Sequence, residues 1–171
     1  MPGLVWLLCI QCLAATAAAQ SKPSPGEAFR TIHFYYEGKG QGVVLADAKI
    51  CRDVHGSGPL KYDCDSEIIE FGPLKTDGTA PDIYHTIKLG DPVSVWMMYL
   101  VPQGAVETVF VRFYKDEEIR HQSGDLTVKD ALRYRTWTRY TPDEPGDWTI
   151  QIFHKGEWES TLLSSFTLSV L

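Results

Sequence analysis

Apolar and polar residues alternate with a period of two along much of this chain, most clearly in its last third. Arg133 to Tyr140 (RYRTWTRY) alternates strictly. Arg133, Arg135, Trp137 and Arg139 project to one side, and Tyr134, Thr136, Thr138 and Tyr140 to the other. Thr141 to Gly146 (TPDEPG) reads as a turn, because two prolines fix φ and the glycine admits positive φ. Asp147 to His154 alternates again, with Trp148, Ile150 and Ile152 on one face. Lys155-Gly156 reads as a two-residue hairpin turn, and Phe166, Leu168 and Val170 mark a closing strand.

Upstream, Val93 to Val101 (VSVWMMYLV) is apolar on both faces, which predicts a central strand covered on both sides. Pro102-Gln103-Gly104 is expected to turn it round, Val106 to Tyr114 to return, and Lys115 to Glu118 to form a hairpin turn leading to Ile119 and His121. Phe29 to Tyr36 is expected as a first strand, with Ile32, Phe34 and Tyr36 opposing Thr31, His33 and Tyr35. Gly38 to Gly42 (GKGQG) reads as a turn, since the residues behind it do not supply the helix N-terminus that a phosphate cradle needs. Val43 to Cys51 reads as a strand or at most one helical turn, Glu67 to Phe71 as a short strand, Gly72 to Pro81 as a loop, and Ile83 to Leu89 as a weak pairing segment. Asp125 to Leu132 is the one credible helical turn, with a loop as its alternative. Eight or nine strands at intervals of about ten residues, with little helix, predict an all-β, antiparallel, immunoglobulin-like sandwich in the loose architectural sense.

The N-terminus changes the picture. Leu4 to Ala19 is apolar and ends in Ala17-Ala18-Ala19, the small-residue pattern of signal-peptidase cleavage, so residues 1–19 read as a signal peptide and Cys9 and Cys12 as lost with it. The apolar run is shorter than the ~20 residues of a spanning helix. Residues 20–28, with the SKPSPG run, read as a flexible leader, and 29–171 as one domain. The expected location is outside the cytoplasm, periplasmic or extracellular, and no membrane span follows cleavage. A net charge of −6 argues against nucleic acid as a partner. Cys51 and Cys64, an even pair in an exported chain, are expected to form a disulfide.

From Val93 onward the chain resembles an uncharacterised family of bacterial exported domains of unknown function. The pattern is R-x-R-T-W-[ST]-[RK], then P-G-x-W, then F-x-[LV]-x-V. It is carried here by Arg133, Arg135, Thr136, Trp137, Thr138 and Arg139, by Pro145, Gly146 and Trp148, and by Phe166, Leu168 and Val170. The resemblance covers roughly the last 80 residues. The return strand departs from it: Val111-Arg112-Phe113-Tyr114 stands where the family places a histidine followed by tryptophan, so no role for that histidine carries over. The resemblance implies an all-β sandwich and no activity.

Candidate chemistry is sparse. The five histidines, His33, His55, His85, His121 and His154, show no metal-ligand spacing, and Met97 and Met98 read as core filling. His55-Gly56-Ser57-Gly58 lacks the strand–elbow–helix setting of a reactive serine, so neither enzyme activity nor a cofactor or metal is expected. The candidate binding residues are Arg133, Arg135, Trp137, Arg139 and Trp158. Three guanidinium groups around one indole suit a carboxylate, sulfate or sugar acid. The competing reading makes them a structural ladder paired with acids such as Asp143, Glu144 and Asp147. Trp158 is either an exposed aromatic or a core residue, whereas Trp96 and Trp148 are assigned to the core. The expected function is protein–protein contact by a non-catalytic exported domain, as in an accessory subunit of an envelope or extracellular assembly. The alternative is a small-ligand or carbohydrate-binding module using the Arg/Trp face.

Overall fold

The computed structural model describes residues 25–59, 61–72 and 81–171. The expected signal peptide, Cys9, Cys12 and most of the SKPSPG leader lie outside the described residues. The described chain runs α1 (Pro25–Phe34), a single π-helical turn (Tyr35–Lys39), then β1 (Val44–His55), β2 (Asp63–Glu67), β3 (Glu70–Phe71), β4 (Ile83–Tyr84) and β5 (Thr86–Ile87). It continues through β6 (Val93–Lys115), β7 (Glu118–Gln122), β8 (Leu126–Tyr140), β9 (Gly146–Lys155) and β10 (Ser160–Val170).

The fold is all-β, an antiparallel immunoglobulin-like sandwich formed by one curled sheet, with β3 and β4 pairing separately. The curl comes from β6. Its first half pairs with β1 on one side and with the second half of β8 on the other, Val95 lying opposite Ile50 and Thr138. Its second half pairs with β9 on one side, and with β7 and the start of β8 on the other. One layer is therefore β2–β1–β6–β8, and the other is β5–β10–β9–β6–β7 with the first residues of β8. The pairing is antiparallel throughout except between β5 and the end of β10.

The residues between the two halves of β6 were expected to make a hairpin, and they do not. Val101 pairs with Ala131 and Val106 with Lys129, so four β6 residues bulge out opposite Asp130 alone. Gly104 supplies a positive φ of 77°, and its N–H donates to the Asp130 carboxylate at 3.3 Å. The chain bends between layers rather than reversing, because each apolar half of β6 finds its partners in other strands. The odd-numbered residues keep facing inward across the bend. Val93, Val95, Met97, Tyr99 and Val101, then Val109, Val111 and Phe113, meet Ile50, Val128, Trp148, Ile150, Ile152, Leu168 and Val170 in one core. Burial pushes the Tyr99 phenol well above its ordinary range.

Several even-numbered side chains are covered as well, Ser94, Trp96 and Phe110 among them, whereas Val106 at the bend is exposed. On the outside of the second layer Phe110 and Phe153 stack at 5.2 Å beneath Arg112, which lies 5.0 Å from each ring and whose Nε donates to Gln122 at 2.7 Å. Where β7 gives way to β8, Ser123 stitches the seam: its N–H donates to the Val111 carbonyl at 2.9 Å, and its Oγ accepts the Val111 N–H at 3.0 Å.

Two further expectations are corrected. Phe29 to Tyr36 is not a strand but the end of α1 and the start of the π-helical turn. Pro25 opens the helix, where its missing N–H costs nothing, and Phe29 meets His33 one turn on, with ring centroids 4.3 Å apart. The period-two reading failed because Phe29, Ile32 and Tyr36 fit a helical spacing as well. Asp125 to Leu132 is not a helical turn; Leu126 begins β8, Val128 points into the core, and Asp125 pairs with Lys155 at 2.5 Å. The β-branched Thr127 and Val128 outweigh the capping potential of Asp125 there.

Cys51 and Cys64 form the expected disulfide, with Cα atoms 5.8 Å apart. It ties the 52–63 segment against the outer face of the first layer. Replacing both cysteines with alanine should lower unfolding free energy by about 3 kcal/mol, the chain-entropy value for so short a loop. Denaturant titration of oxidised wild type and the double variant measures this, and equal midpoints would show that the segment is held by its other contacts alone.

Candidate functional site

The β8 register puts Arg135, Trp137 and Arg139 on the outer face of the first layer, as the alternation predicted, whereas Arg133 falls at a register shift. Trp137 lies opposite Trp96, Arg135 opposite Met98 and Arg139 opposite Ser94. The disulfide-tied segment crosses this face, and the Tyr62 carbonyl is its hub. It accepts the Trp96 indole N–H at 3.1 Å and an Arg135 guanidinium N–H at 3.3 Å. The Arg135 backbone N–H donates to the Pro59 carbonyl at 2.7 Å, and its guanidinium lies 5.9 Å from the Trp96 ring. The Tyr62 ring meets Trp137 edge-on at 6.4 Å.

Arg139 is 5.6 Å from the Trp137 ring, donates Nε–H to Ser94 Oγ at 3.2 Å, and makes a short ion pair with Asp53 of β1. The Val54 backbone N–H, with Arg139 beside it, holds the Asp53 carboxyl below its ordinary range. The acid that meets the row is thus Asp53, from the neighbouring strand but one. The acids expected there bond elsewhere: Glu144 to Arg120 at 3.3 Å, and Asp147 to Ser169 Oγ at 2.7 Å. Arg133 is exposed at the end of the row. As arranged, this face is a cation–π and hydrogen-bond lattice that fastens the disulfide segment to the sheet.

Trp158 does not join it. Lys155 pairs with Ser160, so the expected two-residue hairpin is a four-residue loop, closed by the Gly156 N–H donating to the Glu159 carbonyl at 3.0 Å. Trp158 stands on that loop of the other layer, 90% exposed. The histidines are dispersed as well: His154 bonds Glu107 at 2.7 Å, His121 stacks on Tyr140 at 4.6 Å, and His85 is buried. Among the described residues, no three His, Cys, Asp or Glu side chains gather as metal ligands.

A second feature was not visible in the sequence. Among the described residues, β1 pairs beyond β6 only with β2, and only over Cys51 to His55. Just past that pairing the Ile50 carbonyl accepts the Ile68 N–H at 2.7 Å, and among the described residues the Val44–Lys49 edge is open. β10 pairs beyond β9 only with β5, at Ser169 and Val170, so its edge from Ser160 to Leu168 is open too. These two edges, one from each layer, face a common seam. It holds a cavity of about 330 Å³ lined by Lys49, Glu67, Ile69, Ile83, His85 and Phe166. A second of about 340 Å³ is lined by Leu45, Asp47, Leu163 and Phe166, and Ala48 and Phe166 line both.

The seam floor is apolar, and its polar groups are largely paired. Lys49 bonds Glu67 at 2.9 Å, which raises the Lys49 pKa. The His85 Nδ1 lies 2.5 Å from the Ile68 carbonyl, and its ring meets Phe166 edge-on at 5.7 Å. The β3–β4 pair forms the rim and leaves Ile69, Phe71, Ile83 and Tyr84 exposed, Phe71 at 66%. The sequence of β10 conceals its edge: STLLSSFTLSV carries no charge and no proline, the usual guards of an edge strand.

No family model and no curated protein matches the chain. Among solved structures, the chain is similar to the CARDB domain of PF1109 from Pyrococcus furiosus. The solution structure of that domain shares 16% identity at a TM-score of 0.35, covering 50% of this chain and 85% of that one. Its crystal structure, in complex with di-metal ions, shares 13% identity at a TM-score of 0.35, covering 77% of this chain and 95% of that one.

Replacing Arg135 and Arg139 together with alanine should cost about 2 kcal/mol of stability, from the lost charged hydrogen bond and ring contacts of Arg135. The Arg139–Asp53 part should depend on pH. A carboxyl whose folded pKa is depressed stabilises above its ordinary value of 3.8 and stops doing so as pH falls through the folded value. Arg139→Ala alone should therefore cost stability at neutral pH and lose that cost in acid. Urea midpoints across pH measure both. Unchanged midpoints for the double variant, with loss of a bound sugar acid or sulfate, would make this face a ligand site instead.

Proposed function

We propose that this chain is a non-catalytic domain that works by contact with another protein, and that the contact lies along the seam and its β3–β4 rim. The observation that carries this reading is the apolar rim. Phe71, Ile83 and Tyr84 are each at least half exposed beside a cleft with an apolar floor and two open strand edges. Large apolar side chains gathered at a cleft mark interaction surfaces, whereas singly exposed ones do not. On the polar candidate face the Arg135 and Arg139 guanidinium groups are engaged within the chain, which weighs against its use for capture.

The disulfide and the apolar N-terminal run support export to the periplasm or extracellular space, and no helix among the described residues is long and apolar enough to cross a membrane. An accessory role in an envelope or extracellular assembly fits these features. The carbohydrate reading keeps one observation in its favour: Trp158, 90% exposed on its loop, is free to stack on a sugar.

Photo-cross-linking in native cells tests the site. A benzophenone side chain at Tyr84 should give a discrete protein adduct, and one at Arg133 should not. Ile83→Lys should abolish the Tyr84 adduct while leaving the melting temperature within about 2 °C, as surface substitutions do. Adducts from Arg133 and none from Tyr84 would move the interface to the arginine face.

A further inference from the structure

Among the described residues, β1 keeps a stretch of backbone edge with no strand against it. β2 lies along the C-terminal part of the β1 edge as far as Cys51, and just beyond it the Ile68 N–H donates to the Ile50 carbonyl at 2.7 Å. From Lys49 back to Val44 the β1 N–H and C=O groups on that side have no strand partner among the described residues. Directly across the seam runs the open edge of β10, and both edges are floored by partly buried Leu45, Ala48, Leu163 and Phe166 packed on the core. We propose that an extended segment of another protein adds to β1 in line with β2, closing the seam between the layers, with a lysine or arginine of that segment against Asp47. This rests on the protein-contact reading and specifies its mode.

Three observations fix the chemistry of the occupant. First, the vacancy is strand-shaped: a free backbone edge satisfies its hydrogen bonds with another extended backbone, not with a compact ligand. Second, past a bulge at Ala46 the β1 register alternates its faces from Asp47 to Ile50. Ala48 and Ile50 lie opposite Met97 and Val95 on the core side, while Asp47 and Lys49 lie opposite Met98 and Trp96 on the outer side. An added strand therefore needs apolar residues at alternate positions to cover the floor, and polar ones between. Third, the outer side is net negative. The Lys49 ammonium is taken by Glu67 at 2.9 Å, and half-buried Asp47 lines the seam with no ion pair of its own among the described residues. A cation one strand over sits within cross-strand reach of Asp47.

A second copy of this chain fits less well. Its uncharged candidate strand, β10, offers no lysine or arginine to set against Asp47, and two copies of a chain with a net charge of −6 would bring like charges together.

The test uses the full oxidised protein and synthetic eight-residue peptides of alternating valine and threonine. One threonine position is replaced by lysine, by glutamate or not at all, and a fourth peptide is the lysine form N-methylated at alternate residues. Fluorescence anisotropy should show the lysine peptide binding tightest. Amide exchange should slow at β1 residues 44–49 on its addition. Asp47→Asn should weaken the lysine peptide about two- to fivefold, as expected for one exposed ion pair, and leave the neutral peptide unchanged. The N-methylated peptide, with its side chains intact and its edge blocked, should not bind.

Equal binding of the N-methylated peptide, no binding of any peptide, or protection confined to other strands would overturn strand addition. A concentration-dependent dimer protecting the same amides would overturn it in favour of self-pairing. None of these results touches the Tyr84 cross-link: an adduct there without peptide binding leaves the protein-contact reading standing and removes only its mode.

Discussion

The structure depends on a bend in one strand. β6 is hydrogen-bonded on both sides along both of its halves, and its inward residues contribute to the core of both layers. The bulge at Pro102–Ala105, held by Gly104 and the Asp130 carboxylate, lets the same chain segment serve both layers. Everything central follows from that. β1 and the end of β8 flank the first half, β9 and β7 flank the second, and Trp148, Ile150 and Ile152 close the core between them. What the bend does not supply is a strand at the opposite side, where the layers end in the open edges of β1 and β10.

The same geometry separates the two surfaces by what they do. On the outer face of the first layer, the cations have been drawn into holding the disulfide segment: Tyr62 offers its carbonyl to Trp96 and Arg135, and Asp53 meets Arg139. Charges arranged this way stiffen a surface more than they recruit a ligand. At the seam the balance is reversed, with apolar side chains exposed and backbone edges free.

Much of this was legible in the sequence, and the failures have physical causes. The all-β class, the Cys51–Cys64 bridge and the one-sided row of Arg135, Trp137 and Arg139 follow from alternation and pairing chemistry that act locally. The burial of Trp148 follows from its strand face, whereas Trp96, assigned to the core, is buried on the outer face where the disulfide segment covers it. The helix at Phe29 was misread because its apolar residues satisfy both periods, and local pattern cannot say which tertiary partner wins. The turn at Pro102–Gly104 was misread because proline and glycine mark a change of direction without saying whether it is a reversal or a bend. The seam was invisible for a deeper reason. An edge is the absence of a neighbour, and which strand lacks one is decided by the whole topology, not by the residues on it.

Native-state amide hydrogen exchange on the isolated, oxidised protein tests the central claim most directly. Slow exchange is expected in the paired halves of β6 and in β9, with an alternation in β1 residues 44–49 and β10 residues 160–168, where only every second amide has a strand to bond. Uniform protection along β1 and β10, as strong as in β9, would mean that the seam is already closed, and would contradict the account.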